Sequence, residues 1–450
     1  MADRGRVVLR RGLDLPIPGA PAPVVEAGPR PSEVALVGSD HPGTRMTLRV
    51  AEGDRVKLGQ PLAVDRRCPE IRFVSPASGV VRTARPDERG RPALVVVKVE
   101  SEDDRSDLPF DGADVEAVEG LSRSELIDRL LVSGEWASLH ERPGGRIPGP
   151  DHEPDALLVC LTDTNPLAGA TGTILEGRED DLRVGVAALS KLTAGPTFVT
   201  LPPDVDAPLD GLPRVRCFTF DGPHPAGLPG TQIHHLFPLR DGRRVWHVGA
   251  QETLAIGRVL RTAEIETDRI VALGGPLVRR PRLLRTRIGA DLEQLVQGEL
   301  LPGDCRVVSG SPLSGRLAAR PESYLGRNHH QISVLPEHDE HAHSGWLLPF
   351  FGRKRRVPPW RRRLSWSTER HGTPSAMLPL DFFDSVSPLR LPIGLLLRAL
   401  AAGDHEAARR LGAGQLVEED LALFSYLCPA KLEYGELLRA TLPTDARRPT

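Results

Sequence analysis

Short β-prone segments separated by glycine turns run through residues 33–100, and this pattern constrains the fold more than any other feature of the chain. The strand candidates are residues 34–37, 46–50 and 94–99. The turns between them contain Gly53-Asp54, Gly59-Gln60 and Pro76-Ala77-Ser78-Gly79-Val80. Turn residues that repeatedly precede apolar, β-branched stretches are typical of short antiparallel strands. The pattern therefore predicts a small all-β domain near the beginning of the chain.

The order of these turns resembles that of the biotinyl/lipoyl-type barrel, which has a Gly-Asp turn, a Gly-Gln turn and a later Pro-x-x-Gly-x-Val turn. A carrier domain of that type places an acceptor lysine on the hairpin between the last two turns. Residues 63–74 contain arginines but no lysine. A guanidinium group cannot replace the lysine, because it stays protonated and non-nucleophilic. We therefore expect the barrel without a prosthetic group, and this weakens the hypothesis of a swinging-arm carrier.

Apolar segments alternate with helix-like segments between residues 156 and 256. The strand candidates are residues 156–161, 197–201 and 216–220, and a helix candidate is residues 182–192. Such alternation predicts an α/β domain with a mainly parallel sheet. The turn at residues 163–172 follows the first strand, where a dinucleotide site would lie, but its glycine spacing is wrong and Pro166 lacks a donor. We expect an ordinary turn there, with Thr164 or Asn165 as the N-cap of a helix.

The rest of the chain predicts a third, strand-rich region and a helical end. Residues 265–320 return to short strands around a helix-like segment at 289–296, and the polar stretch 101–112 is typical of a linker. Amphipathic helices are predicted at residues 392–401, 405–411 and 418–426. The chain as a whole is therefore expected to be an α+β multidomain protein.

Charge and cysteine content exclude several classes of function. The formal net charge of −2 does not favour nucleic acid as a partner. The five cysteines lie far apart without a C-x-x-C pair, so we expect reduced thiols rather than a zinc site, an iron–sulfur site or a disulfide framework. No apolar run approaches the ~18–20 residues that a spanning helix needs, and no secretory signal is expected. We expect any work at a membrane to be done from outside the bilayer.

Six long strings match those of a known family in the same order. They are residues 11–21, 163–168, 222–231, 267–273, 325–331 and 418–423. On these strings the chain resembles, over nearly its whole length, the A subunit of the bacterial sodium-translocating NADH:quinone oxidoreductase. Two departures are the segments Gly230-Thr231-Gln232-Ile233-His234-His235 and Cys428-Pro429-Ala430-Lys431. Since the family has histidine at the position of Gln232, any role that needs three imidazoles is in doubt.

The resemblance also implies a division of the chain into five regions. These are a biotinyl/lipoyl-like β domain with an N-terminal extension at residues 1–100, a Rossmann-like α/β domain at 101–260 that is similar to the flavin subunit of complex I, a small β-grasp-like SLBB domain at 261–335, a basic, proline-rich connecting segment at 336–387 and a C-terminal helical domain at 388–450.

The function implied by the resemblance is that of a peripheral subunit on the cytoplasmic side of the bacterial inner membrane. The complex oxidises NADH, reduces ubiquinone and exports Na⁺, using flavins and iron–sulfur centres in other subunits. This subunit is expected to bind no redox cofactor or metal, to have no catalytic residue of its own, and to dock on the five other subunits, chiefly the B subunit, which is the membrane subunit of the quinone site. Cys428-Pro429 then looks like a relic of an iron–sulfur site. The alternative is an NADH-oxidising flavoprotein or an Rnf-type electron-transfer subunit on the same fold.

Quinone contact is predicted beside an apparent strand end, at residues 222–228 and in the segment after it. The candidates are His224, Leu228, His234, His235 and Phe237. An imidazole can donate a hydrogen bond and a proton to a quinone oxygen, and apolar residues can contact the ring or tail. His234-His235 and His329-His330 are each expected on a strand, with one ring per face. Histidines satisfied by backbone groups, and a turn that only docks a neighbouring subunit, remain open alternatives.

A basic segment is the candidate for membrane or partner contact. Seven of the eleven residues 353–363 are basic. The candidates are Arg353, Lys354, Arg355, Arg356, Trp360, Arg361, Arg362 and Arg363. Cations interleaved with tryptophan are attracted to anionic membrane surfaces, at roughly 1 kcal/mol for each basic residue. A solvated loop is the alternative.

Overall fold

The computed structural model describes residues 5–88, 91–101, 104–240, 242–337, 382–428, 430 and 432–442. Its strands are β1 (Gly5–Val8), β2 (Ala22–Ala27), β3 (Glu33–Val37), β4 (Met46–Leu48), β5 (Arg55–Val56), β6 (Pro61–Asp65), β7 (Arg72–Val74), β8 (Ser78–Arg85), β9 (Leu94–Ser101), β10 (His140–Arg142), β11 (Ala156–Cys160), β12 (Thr197–Leu201), β13 (Val215–Asp221), β14 (Val245–Gly249), β15 (Asp268–Gly274), β16 (Arg282–Arg287), β17 (Cys305–Ser309), β18 (Arg316–Leu317) and β19 (Gln331–Pro336). Its α-helices are α1 (Val115–Gly120), α2 (Arg123–Ser133), α3 (Thr171–Leu175), α4 (Glu179–Ser190), α5 (Pro229–Leu236), α6 (Ala250–Thr262), α7 (Leu292–Val296), α8 (Phe382–Val386), α9 (Ile393–Ala401), α10 (His405–Arg410), α11 (Glu418–Leu427) and α12 (Tyr434–Thr441).

The glycine turns near the beginning of the chain produce a two-sheet β domain. One sheet has the order β3-β9-β8-β5 and the other the order β4-β6-β7. Alternate apolar residues of these strands point inward, among them Val34, Leu62, Val81 and Val95. The hairpin β6–β7, where a carrier would hold its lysine, packs through Phe73 into the core shared with the next domain. The expected barrel-like domain is confirmed.

The α/β domain contains a six-stranded sheet in the order β1-β13-β12-β11-β14-β10. Its strands are parallel except β10, which pairs antiparallel with β14. Helices α2, α4 and α6 cover one face, while Ile233 of α5 packs on the other. Strand–helix alternation therefore predicted this domain correctly, because right-handed crossovers place successive helices on the two faces of a parallel sheet.

The third sheet has the order β18-β17-β19-β15-β16-β2, with α7 packed against it. Its last strand, β2, comes from the N-terminal extension, and β1 of the same extension pairs with β13 of the α/β sheet. The first part of the chain thus supplies an edge strand to each of two sheets. The division into five regions stays a prediction.

The C-terminal helices α8–α12 share one apolar core. Phe383, Leu396, Phe424 and Tyr434 lie in it, together with Leu15 from the N-terminal extension. The three predicted helices are confirmed as α9, α10 and α11, whereas α12 has no counterpart in the prediction. Among the described residues, no helix is long and apolar enough to cross a membrane. The expected α+β multidomain fold is confirmed.

Three local predictions are wrong. His329 and His330 lie in the loop just before β19 rather than on a strand. His234 and His235 lie on the helix α5 rather than on a strand, so their rings do not face opposite sides of a sheet. Helix α3 begins at Thr171 and its N-cap is Ala170, so neither Thr164 nor Asn165 caps it. Asp163 instead accepts hydrogen bonds from the backbone and side-chain nitrogens of Asn165, at 2.8 and 2.9 Å, which closes a local turn.

Candidate functional site

The order of the α/β sheet reverses at β11, because the chain moves from β11 to β12 and β13 on one side and reaches β14 on the other. In open α/β sheets the carboxyl ends of the two strands at such a reversal form the usual ligand crevice. The loop that begins at Asp163 follows β11, and the helix α6 with Glu252 follows β14. A ligand site is therefore expected in this crevice.

A buried carboxylate and an imidazole occupy the β14 side of the crevice. Oε1 of Glu252 lies 2.7 Å from Nε2 of His330, and Glu252 is 3% exposed. Burial raises the pKa of Glu252, but the charge and hydrogen bond of His330 outweigh it and lower this pKa to about 2. Burial lowers the pKa of His330, and the Glu252 carboxylate reverses that shift so that the pKa is raised. The pair ties α6 to the segment just before β19.

The β11 side of the crevice is filled by backbone. The hydroxyl of Thr164 accepts a hydrogen bond from the backbone N–H of Gly227 at 2.8 Å. A Cβ at Gly227 would overlap the backbone nitrogen of Thr164, so only glycine allows this approach. Gln331 donates to the carbonyl oxygen of Pro166 at 2.8 Å from the other side. The chain's own loops therefore meet closely on this side of the crevice.

Two of the five quinone candidates, His224 and Leu228, are each 2% exposed. The backbone N–H of His224 donates to Asp14 at 2.9 Å, and its carbonyl accepts from the N–H of Leu13 at 2.7 Å. Its Nδ1 lies 3.4 Å from the hydroxyl of Thr164. Burial lowers the pKa of His224, which keeps the imidazole neutral near pH 7. The N-terminal extension thus covers the segment in which quinone contact is predicted.

The other three candidates lie in or just after α5 and are half-buried. Nε2 of His234 accepts from the backbone N–H of Arg390 at 2.8 Å, and Nε2 of His235 lies 3.0 Å from the carbonyl oxygen of Pro388. Burial lowers the pKa of both imidazoles, that of His234 to about 4. Because Nε2 of His234 accepts, the proton of the neutral ring is on Nδ1. The ring of Phe237 has the guanidinium of Arg243 4.9 Å from its centre.

His234 also lines a small cleft between α5 and the C-terminal helices. The other lining residues are Arg142, Gly230, Ile233, Leu239, Leu389, Gln415 and Leu416. Apolar walls with one arginine and one imidazole are a chemistry that can hold a small ring with hydrogen-bond acceptors. The structure brings only one of the five candidates to this cleft.

Arg142 is a residue of the candidate site that sequence reasoning missed. Its side chain is 1% exposed, and its guanidinium bonds to Asp420 of α11 and lies 3.4 Å from Nε2 of His247 and 3.9 Å from Glu419. Burial raises the pKa of Glu419 to about 7. The only available signal was that Asp420 belongs to one of the matching strings, since nothing local distinguishes Arg142 from other arginines.

Two further residues from the sequence analysis, His329 and Cys428, contact hydroxyl groups within the fold. Nδ1 of His329 lies 2.8 Å from the hydroxyl of Ser309, and the thiol of Cys428 lies 3.3 Å from the hydroxyl of Tyr434. All five cysteines are free thiols. Within the described ranges, no group of three or more His, Cys, Asp or Glu residues could hold a metal. Arg353, Lys354, Arg355, Arg356, Trp360, Arg361, Arg362 and Arg363 lie outside the described residues.

Three family models match successive parts of the chain. They are the NqrA N-terminal barrel-sandwich hybrid domain at residues 7–100, the NqrA second alpha/beta domain at residues 121–265, and the NQRA C-terminal domain, an SLBB model, at residues 270–320. A solved NAD⁺-reducing [NiFe]-hydrogenase in the H₂-reduced state matches 73% of this chain and 63% of that chain at 14% identity. Its TM-score of 0.40 is too low to establish a shared fold.

Curated relatives match almost the whole chain. The protein of Hahella chejuensis is 40% identical over 97% of this chain and 98% of its own length, and that of Actinobacillus pleuropneumoniae serotype 5b is 41% identical over the same shares. The protein of Rhodopirellula baltica is 38% identical over 98% of both chains. All three are named as the A subunit of a Na(+)-translocating NADH-quinone reductase. The chain therefore belongs to the family of A subunits of the Na(+)-translocating NADH-quinone reductases and is a subunit of an oxidoreductase complex, as its matching strings predicted.

Proposed function

We propose that this chain is a subunit without a redox cofactor of its own, which docks on the cytoplasmic face of membrane subunits and contributes to the reduction of ubiquinone. NADH oxidation, the flavins, the iron–sulfur centres and Na⁺ transport then belong to the other five subunits. Its principal neighbour is the B subunit in the membrane, which carries the quinone site. Membership of the A-subunit family supports the assignment to the complex. The crevice of the α/β domain supports the absence of a redox cofactor.

The observation that carries the cofactor-free proposal is the filled crevice at the carboxyl ends of β11 and β14. A dinucleotide needs glycine backbone that leaves its N–H groups open toward a phosphate. Here the N–H of Gly227 already donates to Thr164, and Glu252 is engaged with His330. Both sides of the crevice are therefore held by bonds within the chain, which favours this proposal over an NADH-oxidising flavoprotein or an Rnf-type subunit.

The visible absorption spectrum of the purified chain tests this part of the proposal. We expect no visible absorption band and no NADH dehydrogenase activity in the isolated chain. The loop variant Gly227→Ala, which disturbs the contact with Thr164, should be equally colourless. A stoichiometric flavin, or iron that copurifies with the chain, would contradict the proposal and favour the flavoprotein or Rnf-type alternative.

For quinone contact we propose the half-buried group of His234, His235 and Phe237 rather than the covered pair of His224 and Leu228. His234 lines the small cleft beside Leu239 and Leu416. Its Nδ1–H is a donor of the kind that a quinone oxygen accepts, and its low pKa means that it donates a hydrogen bond rather than a charge. Arg142 lines the same cleft, where its ion pair with Asp420 joins β10 to α11.

Steady-state kinetics of the assembled complex tests the quinone proposal. His234→Ala removes one hydrogen bond and should raise the KM for ubiquinone about three- to tenfold with normal assembly, since such a bond contributes about 0.5–1.5 kcal/mol. His152→Ala is the matched control, because His152 is exposed and does not line the cleft. His224→Ala should act on assembly or stability instead. An unchanged KM in the His234 variant, or a raised KM in the His224 variant alone, would move the contact back to residues 222–228.

Docking through the basic segment rests on sequence alone and is proposed as a second contact with the membrane or its subunits. Changing Arg355, Arg356, Arg361 and Arg362 to Ser should weaken membrane attachment, most visibly at raised ionic strength. The matched control is Arg409→Ser on the exposed side of α10. If attachment of the fourfold variant resists salt as well as that of the control, the segment is a solvated loop.

A further inference from the structure

Exposed arginines gather on one face at the end of the three-stranded sheet β4-β6-β7. Along β4 and directly beside it, the exposed Arg45, Thr47 and Arg49 alternate with Met46 and Leu48, which are buried and half-buried. Alternate residues of a strand point to the same face, so the two arginines and Thr47 share the face that is turned to solvent. Met46, on the opposite face, packs into the core shared with the α/β domain.

The neighbouring strands add two more arginines to this face. The backbone N–H of Arg66 donates to the carbonyl oxygen of Arg45 at 2.7 Å, which continues the register of β4 and β6. Arg45 and Arg66 therefore lie directly opposite each other, and both are exposed. Arg72 of β7 lies opposite Val64, which in turn lies opposite Thr47. We call the resulting set the arginine face, and its members are Arg45, Arg49, Arg66 and Arg72.

The backbone beneath the arginine face is held by contacts within the chain. The buried carboxylate of Asp65 accepts a hydrogen bond from the backbone N–H of Arg67 at 2.8 Å and thus closes the turn after β6. Phe73 anchors β7 in the core shared with the α/β domain. Val64 is 5% exposed, which fits aliphatic arginine stems that lie over it. The positions of the arginines are therefore set by the fold.

The arginine face has no acidic counterpart. Among the described residues, none of its four side chains makes an ion pair or a hydrogen bond. The nearby carboxylates serve local bonds, since Glu70 accepts from the thiol of Cys68 at 3.2 Å and Asp87 accepts from the backbone N–H of Met46 at 3.1 Å. Four other cations of the β domain are paired, namely Arg55 with Glu100, Lys57 with Asp104, Arg82 with Glu33 and Arg85 with Glu322.

This arrangement opposes the stability of the isolated chain. Like charges directly across a pair of strands repel each other, and Arg45 and Arg66 are such a pair. A partner that brings carboxylates would remove this repulsion, and each guanidinium fork could bind two oxygens of one carboxylate. Charge complementarity therefore defines the partner of this face as acidic.

We propose that the arginine face docks an acidic segment of a neighbouring protein chain. Side chains opposite or diagonal to each other on neighbouring strands lie about 5–8 Å apart, which matches the spacing of about 7 Å between alternate residues of an extended segment. The large exposed apolar side chains, such as those of Val24 and Leu395, lie elsewhere in the described part of the chain. The face thus lacks the apolar anchors that are typical of membrane-binding surfaces. This docking is independent of the quinone proposal and of residues 353–363.

Salt-induced release from the purified, detergent-solubilised complex tests the proposal. Arg45→Gln with Arg66→Gln should lower the NaCl concentration that releases half of this chain, on the order of twofold. Arg55→Gln with Lys57→Gln is the matched control, because it removes the same charge from exposed pairs of the same domain and should leave release unchanged. The isolated Arg45/Arg66 variant should unfold at the same or a higher temperature than the wild-type chain, since a repulsion is removed. A structural role would instead lower that temperature.

A photo-reactive amino acid in place of Thr47, within the arginine face, identifies the partner in the same complex. We expect a cross-link to a peptide of another subunit that contains several Asp or Glu residues. A cross-linked peptide without acidic residues, or equal salt release by the double variant and its control, would overturn the proposal. Binding to vesicles of phosphatidylcholine and phosphatidylglycerol that is lost in the double variant, with unchanged release from the complex, would also overturn it, because the face would then serve a lipid surface.

Discussion

Arg142 and Asp420 show how a single buried pair joins two parts of this chain. Arg142 ends β10, Asp420 lies in the first turn of α11, and their side chains are 1% and 3% exposed. Asp420 also accepts a hydrogen bond from the backbone N–H of Val417 at 2.9 Å. Its carboxylate thus caps the N-terminus of α11 and also neutralises Arg142. Removing one partner of such a pair lowers the free energy of unfolding by more than the intact pair contributes to it, because the other charge stays buried.

Asp420→Ala should therefore destabilise the chain by about 3–5 kcal/mol. Urea unfolding followed by circular dichroism measures this, with Glu406→Ala as the control. Glu406 pairs with Arg410, and both side chains are largely exposed, so the control should cost less than about 1 kcal/mol. Equal, small losses in the two variants would show that Arg142 is solvated when its partner is removed.

Single residues are also where the sequence was least informative about the site. His234 and His235 were expected on a strand, but a two-residue motif has no periodicity that could distinguish a strand from the helix α5 on which they lie. Proline is favoured in the first turn of a helix, and Pro229 at the start of α5 fits this preference. The partners of His234 could not be predicted, because Arg390 lies 156 residues away.

Helices α4 and α6 pack unusually closely because each presents a glycine to the other. A Cβ at Gly257 would overlap the carbonyl oxygen of Asp181, and a Cβ at Gly185 would overlap that of Thr253. Both helices cover the same face of the parallel sheet, so their separation sets how α6 meets β14 and the crevice. This contact is an element-scale feature, since no single side chain produces it.

Gly257→Ala should destabilise the α/β domain by about 1–3 kcal/mol, despite the better helix propensity of alanine, because overpacking outweighs propensity. Gly120→Ala at the end of α1 is the matched control, since a Cβ there meets nothing within 4 Å. The control should be neutral or slightly stabilising in thermal unfolding. If both variants were stabilised alike, α4 and α6 would be free to move apart.

Helices and strands were predicted where the pattern of apolar residues is strong. Strands were missed where their partner strands lie far away in the sequence. Residues 197–201 were predicted as a strand and form β12, because the segment is apolar throughout and bounded by turns. Strands β1 and β2 were not predicted, since both are edge strands whose partners, β13 and β16, lie more than 200 residues away. Helix α12 was missed because its short sequence follows Cys428 and was interpreted through the family's cysteine motif.

At the scale of the whole molecule, the N-terminal extension holds separate domains together. β1 extends the α/β sheet and β2 extends the third sheet. Between them, Leu15 enters the core of the C-terminal helices, and Asp14 bonds to the backbone of His224.

Removal of residues 1–18 should therefore increase the rate of proteolysis between domains, whereas removal of only residues 1–4 should leave it unchanged. Equal rates for the two truncations would contradict this role.

Imidazoles with lowered pKa values are spread over the chain and predict how it responds to acid. Burial lowers the pKa of His41 to about 3 and that of His140 to about 4. The pKa is also lowered for His224, His234, His235, His247 and His329. A pKa below the unfolded value near 6.5 contributes stability that is present above that pH and lost as the pH falls. Three groups act oppositely, because the pKa values of His330, Glu419 and Asp65 are raised.

Seven histidines against three opposing groups predict net acid lability that begins near pH 6.5, well above the range in which most carboxylates titrate. The free energy of unfolding, measured in urea, should be nearly constant from pH 8 to 7 and fall from about pH 6.5 to 5, by up to about 1.4 kcal/mol per pH unit for each uncompensated histidine. His41→Gln should make this fall shallower, because it removes one proton that only the unfolded chain binds. His152→Gln, at an exposed histidine, should leave the slope unchanged. Stability that rises between pH 7 and 5 would mean that the buried imidazoles gain protons without unfolding, so that the interfaces they occupy open to water.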